Sequence, residues 1–388
     1  MNDDLCGDIE ALRETVKRFT LERIAPHASA WDEAGEFPRA LYREAAALGL
    51  LGLGYPESLG GTPAPFALRN AMSTTMARYG GSGGVMASLF SLNIGLPPVL
   101  RHGTAELQQE VIAPVLRGEK IAALAITEPG AGSDVSGLRT KARREPGSGD
   151  WIIDGEKVFI TSGMRADWIT MAVRTGDAAS KGAAGISMIV VPGDAAGLSR
   201  TPLAKMGWWC SDTAHLRMDG VRVPARYLVG SEGAGFRMIM SNFNGERLGM
   251  SAMALGFAQA CFDEALDWAR QRQTFGSALV EKQVIRHKLV DMQMRISSTQ
   301  AWLEAVTVLA DEGKLESDPH CVAQVCMLKN HATQAMQFCA DQAVQILGGM
   351  GFMRGTKSER IYREVKVMMI GGGAEEIMKD LAARQLAL

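Results

Sequence analysis

The chain reads as an α+β protein, mostly α. It divides into an N-terminal helical domain over 1–120, a central antiparallel β-domain over 121–233, and a C-terminal four-helix bundle over 234–388. Three observations predict this. A length of 388 residues is long for one hydrophobic core and suggests two or three domains. Apolar residues recur at helical spacing at both ends of the chain, and between them the pattern shifts to short β-rich runs.

Taken in order, Ile9, Leu12, Val16 and Phe19 fall on one helical face, as do Leu41, Ala45 and Leu48, with charges between them. The longest uncharged stretch, 79–100, contains Gly80-Gly81-Ser82-Gly83-Gly84 and Pro97-Pro98. These make it a poor membrane span and a plausible buried helix. Then Trp151-Ile152-Ile153 and Lys157-Val158-Phe159-Ile160 flank Asp154-Gly155, a hairpin signal. Asp219-Gly220 joins His215-Leu216-Arg217-Met218 to Val221-Arg222-Val223 in the same way. Further strands are expected over 166–173 and 185–191, so a small sandwich or barrel is the expected arrangement. From Gly233 the helical period returns, with pieces near 236–272, 281–311, 317–348 and 373–386.

Bulk properties narrow the function classes. Forty-one basic residues against 43 acidic ones leave a net charge of −2, which gives nucleic acid or an anionic membrane no footing. The six cysteines have neither disulfide-scaffold density nor CxxC spacing, and the six histidines form no HExxH pair, so no metal site is expected. The start, Met1-Asn2-Asp3-Asp4-Leu5, lacks an apolar run. The expectation is a reduced, cytoplasmic setting without a targeting segment.

The most informative stretch is Ala122-Ala123-Leu124-Ala125-Ile126-Thr127-Glu128-Pro129-Gly130-Ala131-Gly132-Ser133-Asp134. An apolar run suited to a buried strand empties into a loop with little bulk, several free N–H groups and two hydroxyls. Gly130 and Gly132 let the backbone approach a flat or phosphorylated ligand, and Thr127 and Ser133 can donate to its oxygens. A strand followed by a plain tight turn reads the same residues equally well. A dinucleotide fingerprint fits poorly, because no third glycine arrives at the right offset.

The segment Thr127-Glu128-Pro129-Gly130-Ala131-Gly132-Ser133-Asp134 resembles the signature of the acyl-CoA dehydrogenase family. The resemblance continues through Lys157-Val158-Phe159-Ile160-Thr161-Ser162-Gly163, Glu246-Arg247, Arg272-Gln273-Thr274-Phe275-Gly276 and Gln345-Ile346-Leu347-Gly348-Gly349, in family order. It is looser in the N-terminal third, resting there on Pro56-Glu57-Ser58-Leu59-Gly60-Gly61.

The resemblance implies FAD as cofactor and an acyl-CoA thioester as substrate. A carboxylate takes the α-proton while a hydride leaves the β-carbon for flavin N5, giving the trans-2-enoyl-CoA. Most members carry that glutamate in a Tyr-Glu-Gly-Thr segment near the C-terminus. Here the matching residues are Gly371-Gly372-Gly373-Ala374, so the usual base is absent at Gly372. The isovaleryl-CoA dehydrogenase type instead places the base on the long helix just before an arginine, where this chain has Glu246-Arg247. Glu246 also lies along an apolar stripe of Ile239, Phe243, Met250, Met253 and Phe257, where a carboxylate needs a partner or a function. Pairing with Arg247 is the structural alternative, and Glu375 or Glu376 could replace it as base.

By the same resemblance, the backbone N–H of Gly372 holds the thioester oxygen, and Ile126 and Thr127 face the flavin. Gly132 and Ser133 approach the cofactor phosphates and the CoA thread, and Phe159, Ile160 and Thr161 stack behind the ring. Arg272, Thr274 and Phe275 reach the diphosphate of a neighbouring subunit's FAD, while Lys282, Gln283, Gln345, Gly348 and Gly349 close over its ADP half. Ala374 replaces a flavin-bonding threonine, Glu376 lies beside it, and Asn244 and Arg247 are expected on the CoA side. A homotetramer or homodimer that passes electrons to an electron-transfer flavoprotein follows. The glycines at 371–373 suggest room for a branched or medium-chain acyl group, with the floor formed over 84–95 by Ala87, Leu89 and Phe90. The competing readings are a flavoprotein oxidase of the same superfamily and a non-catalytic FAD-binding assembly protein.

Overall fold

A computed structural model describes residues 3–176 and 182–388. Helices come first, from Asp3–Arg23 to Ala105–Leu116. Ile9, Val16, Phe19, Leu41 and Ala45 face the core as their spacing requires, whereas Leu48 lies just past its helix and is exposed. The uncharged stretch forms the helices Gly83–Leu89, Leu92–Gly95 and Pro97–His102. Its residues Val85, Leu89, Leu92, Leu96 and Val99 are all buried. Among the described residues no single helix is long and apolar enough to cross a membrane.

The centre is one sheet of eight strands: β1 (Ala122–Ala125), β2 (Lys141–Arg144), β3 (Trp151–Thr161), β4 (Trp168–Arg174), β5 (Ile186–Pro192), β6 (Leu198–Pro202), β7 (Thr213–Val223) and β8 (Leu228–Val229). Pairing is antiparallel except where β4 meets β1 and the end of β2. Small side chains let the first helical region press onto β1. A β-carbon on Gly95 would stand 3.0 Å from the Ala123 carbonyl oxygen, and Ser91 Oγ donates to the Ala122 carbonyl at 2.7 Å.

Neither Asp-Gly pair turns the chain. β3 and β7 run straight through them and pair with each other, Ile153 opposite Val221 and Gly155 opposite Met218, with a bulge between. The Gly220 N–H, on a residue at φ +63°, donates to Asp154 Oδ1 at 2.7 Å across that bulge. A positive-φ glycine serves a bulge as readily as a hairpin, so the local signal could not separate them.

The longer C-terminal helices are Gly235–Gln271, Gln283–Asp311, Pro319–Leu347, Lys357–Ile370 and Glu375–Gln385. The fourth, Lys357–Ile370, is absent from the sequence expectation because charged residues fill its inner face: Glu359, Arg360 and Glu364 are buried with Ile361, Val365 and Met368. Helix Phe66–Gly80 joins this bundle so closely that a β-carbon on Gly256 would stand 2.3 Å from the Thr74 carbonyl oxygen.

Candidate active site

The three regions meet around a cavity of about 1400 Å³. Its walls include Ile126, Thr127, Gly132 and Ser133 after β1, Phe159, Ile160 and Thr161 on β3, Glu246 and Arg247 on helix Gly235–Gln271, and residues 371–374. Segments scattered over nearly 250 positions of sequence therefore share one space.

The loop after β1 is pinned from below. Glu128 is buried and takes N–H bonds from Arg139 at 2.6 Å and Thr140 at 2.9 Å. The fully buried Lys157 donates to Glu128 Oε1 at 2.8 Å and to the Ile126 carbonyl at 2.9 Å. Burial pulls the Lys157 ammonium down to about 8, against the pull of Glu128. Sequence reading gave this pair no role, although a glutamate and a lysine inside two apolar motifs are the signal of a buried partner.

Phe159 stands at φ +61° with 69% of its surface exposed, on the second bulge between β3 and β7. A bulky residue in that conformation is strained and persists where surroundings or function require it. An aromatic face held open in the wall, beside Thr127 and Thr161 and a loop at Gly132 where a β-carbon would meet only the Thr127 methyl at 3.9 Å, suits a flat heteroaromatic ring.

Glu246 is half-buried and faces the cavity, yet its Oε2 is shut off from water without a hydrogen-bond partner. Burial pushes its carboxyl up to about 7, with Arg247 and Lys329 pulling the other way. Pairing with Arg247 does not occur. Arg247 Nε instead donates to the Gly372 carbonyl at 2.9 Å and Nη1 to Asn244 Oδ1 at 3.1 Å. Asn244 in turn donates to the Leu315 carbonyl at 2.8 Å. It stands behind Arg247, not in the cavity wall, because both ends of its amide are already used. Glu375 is tied to Gln334 at 2.7 Å and Lys379 at 2.8 Å, which hold its carboxyl below the ordinary value, and Glu376 is exposed. Neither lines the cavity.

The glycine turn has its own supports. Lys329, fully buried on helix Pro319–Leu347, donates to the Met369 carbonyl at 2.9 Å and the Gly373 carbonyl at 2.8 Å. Gly372 sits at φ +68°, and its N–H meets no acceptor among the described residues. The space expected here is taken. A β-carbon on Gly372 would meet Met250 Sδ at 2.9 Å, and one on Gly373 would meet Met378 Cε at 2.4 Å. The expectation of room for a methyl branch therefore loses its physical basis, because Met250 and Met378 fill the gap. On the floor, Ala87 and Phe90 face the cavity as expected, while Leu89 points into the core.

Arg272, Thr274, Phe275, Lys282, Gln283, Gln345, Gly348 and Gly349 do not reach this cavity. They lie where helix Gly235–Gln271 ends, helix Gln283–Asp311 begins and helix Pro319–Leu347 ends. Lys282 is bonded to Ser277 at 2.6 Å, and Phe275 is fully exposed.

Three family models match in series: the acyl-CoA dehydrogenase N-terminal domain over residues 7–119, the middle domain over 123–221 and the C-terminal domain over 233–387. The chain belongs to the acyl-CoA dehydrogenase family. It is 35% identical to the mitochondrial long-chain specific acyl-CoA dehydrogenase of Rattus norvegicus, over 97% of this chain and 86% of that one. Among solved structures, a putative acyl-CoA dehydrogenase from Mycobacterium smegmatis superposes with a TM-score of 0.92 at 44% identity, covering 97% of each chain. Butyryl-CoA dehydrogenase from Megasphaera elsdenii gives 0.92 at 28%, covering 100% of this chain and 99% of that one. An acyl-CoA dehydrogenase is an oxidoreductase that uses acyl-CoA substrates, and FAD is its cofactor.

Proposed function

We propose that this acyl-CoA dehydrogenase converts an acyl-CoA to the trans-2-enoyl-CoA with Glu246 as the base. The observation that carries this is Glu246 itself, which lines the cavity with one carboxylate oxygen unpartnered and its carboxyl raised to about 7. A base works best when its pKa lies near the working pH. The α-proton of a thioester is too weakly acidic for a carboxylate unless the carbonyl is polarised as enolate charge develops. The free N–H of Gly372 supplies that bond, and Arg247 and Lys329 fix the turn that presents it. Ile126, Thr127, Gly132, Ser133, Phe159, Ile160, Thr161 and Ala374 hold the flavin end of FAD. When bound, FAD supplies the acceptor for the β-hydride. In this reading 121–233 forms the flavin side of the site, and 1–120 with 234–388 the acyl side. An electron-transfer flavoprotein reoxidises the enzyme, which works in the cytoplasm as a homotetramer or homodimer.

Anaerobic titration with acyl-CoA thioesters, watching the flavin bleach, tests the reading. Glu246→Gln keeps FAD and acyl-CoA binding and slows bleaching by about 10²–10⁴-fold, the usual loss for a positioned base. Near-normal bleaching in this variant moves the role to another group.

A further inference from the structure

Another charged group of the cavity wall, Arg69, has no part in the dehydrogenation. Arg69, on helix Phe66–Gly80, lines the wall with Phe66, Asn70, Ser73 and Asn93. Its guanidinium lies over the Phe66 ring at 4.6 Å. Its stem packs against Gly54, where a β-carbon would come within 2.9 Å of Arg69 Cδ. On the other side, the Phe66 ring stands 3.7 Å from a β-carbon built on Gly245, the residue before Glu246. Phe66 thus separates the cation from the base, and Phe90, Phe243 and Met253 make the rest of that stretch apolar.

No acceptor satisfies Arg69 among the described residues. The acid whose field reaches it, Asp311, is engaged by the N–H groups of Phe66 and Ala67 at 2.5 and 3.2 Å. The neighbouring Arg101 is turned to Glu316 at 2.5 Å. Burial, helped by Arg101, holds Arg69 below the ordinary arginine value. Arg69 is half-buried in the wall with no acceptor among the described residues bonded to its guanidinium, and that planar fork matches a carboxylate.

We propose that Arg69 receives a free carboxylate at the far end of the acyl chain, so that the substrate is the CoA thioester of a dicarboxylic acid. The inference rests on the reading of this cavity as the acyl site. The methylenes lie along Phe66, Phe90 and Phe243. The Asn93 amide adds a donor, its Oδ1 already facing the Tyr55 hydroxyl at 3.5 Å.

The experiment compares adipyl-CoA with hexanoyl-CoA, and suberyl-CoA with octanoyl-CoA, by kcat/KM and by anaerobic bleaching of the holoenzyme. The ω-carboxy member of each pair is expected to lead by about tenfold or more, the scale of one hydrogen bond to a charged group. Arg69→Gln should collapse that ratio at least tenfold, and Arg69→Lys, which keeps the charge without the fork, should restore part of it. Equal or greater activity on the unsubstituted members, or a ratio unchanged in Arg69→Gln, overturns the inference and leaves the dehydrogenase reading intact. If no thioester of either series bleaches the flavin, the dehydrogenase reading falls and this inference with it. Binding of the same pairs to Glu246→Gln reads the preference without turnover, so a wrong assignment of the base cannot mask it.

Discussion

Glu246 destabilises the fold in the ionised form that its proposed role as base needs. Its carboxyl rises from 4.5 to about 7 because burial penalises the charge more than Arg247 and Lys329 relieve it. The folded chain therefore binds this proton more tightly than the unfolded one. The stabilisation is fully present below 4.5 and is lost as pH rises through about 7. The whole span is worth roughly 3 kcal/mol at about 1.4 kcal/mol per unit. Glu246→Gln should gain urea stability relative to the parent when pH is raised from 5 to 8, while the parent's kcat/KM rises through about 7. A stability difference that does not change with pH would contradict the burial argument. The place of Glu246 in the cavity wall was legible in the sequence, where a carboxylate stands on an apolar stripe. Arg69 was not, since one arginine on a mixed helix carries no periodic signal. The Met250 contact with the glycine turn was invisible because composition says nothing about where a flexible side chain comes to rest.

At the scale of elements, the order of helices and strands could be read from periodicity, and the errors fell where long-range pairing decides. Asp154-Gly155 and Asp219-Gly220 favour a reversal locally, but β3 and β7 each find a better partner in the other than in their own halves. Helix Lys357–Ile370 carries no clean apolar period because buried charges interrupt its inner face, and one of them, Glu364, takes the N–H of the distant Gly83 at 2.9 Å. The loop after β1 depends on the same kind of distant partner. Lys157→Met leaves Glu128 buried with two backbone donors and no counter-charge, and removing one member of such a pair costs about 3–5 kcal/mol. Urea unfolding should show that loss, with FAD released more readily as the loop loosens. The double change with Glu128→Gln should recover part of it, since no charge is then stranded. A loss below about 1 kcal/mol in the single variant would mean that the pair is solvated and does not pin the loop.

The whole molecule carries a surface that one chain cannot use. Phe275 is fully exposed at φ +50°, and Phe352 is 88% and Met294 61% exposed, as are Val284, Val290 and Met353 over half of their surfaces. Arg272, Gln283, Gln345, Gly348 and Gly349 share this end of the bundle, remote from the cavity walls. Exposed apolar area of this kind, with a second aromatic held in a strained conformation, marks an interaction surface. A second copy of the chain would cover it and carry Arg272 to the diphosphate of the partner's FAD, where the guanidinium fork matches adjacent phosphate oxygens. The protein should therefore elute as a dimer or tetramer with about one FAD per chain. Arg272→Ala should weaken FAD retention by about ten- to a hundredfold, the scale of a hydrogen bond to a charged group. Light scattering should find its assembly intact, because the apolar contacts remain. A monomer that keeps its flavin after this change would show that one chain completes the site alone, and would return these residues to the role of solvated helix ends.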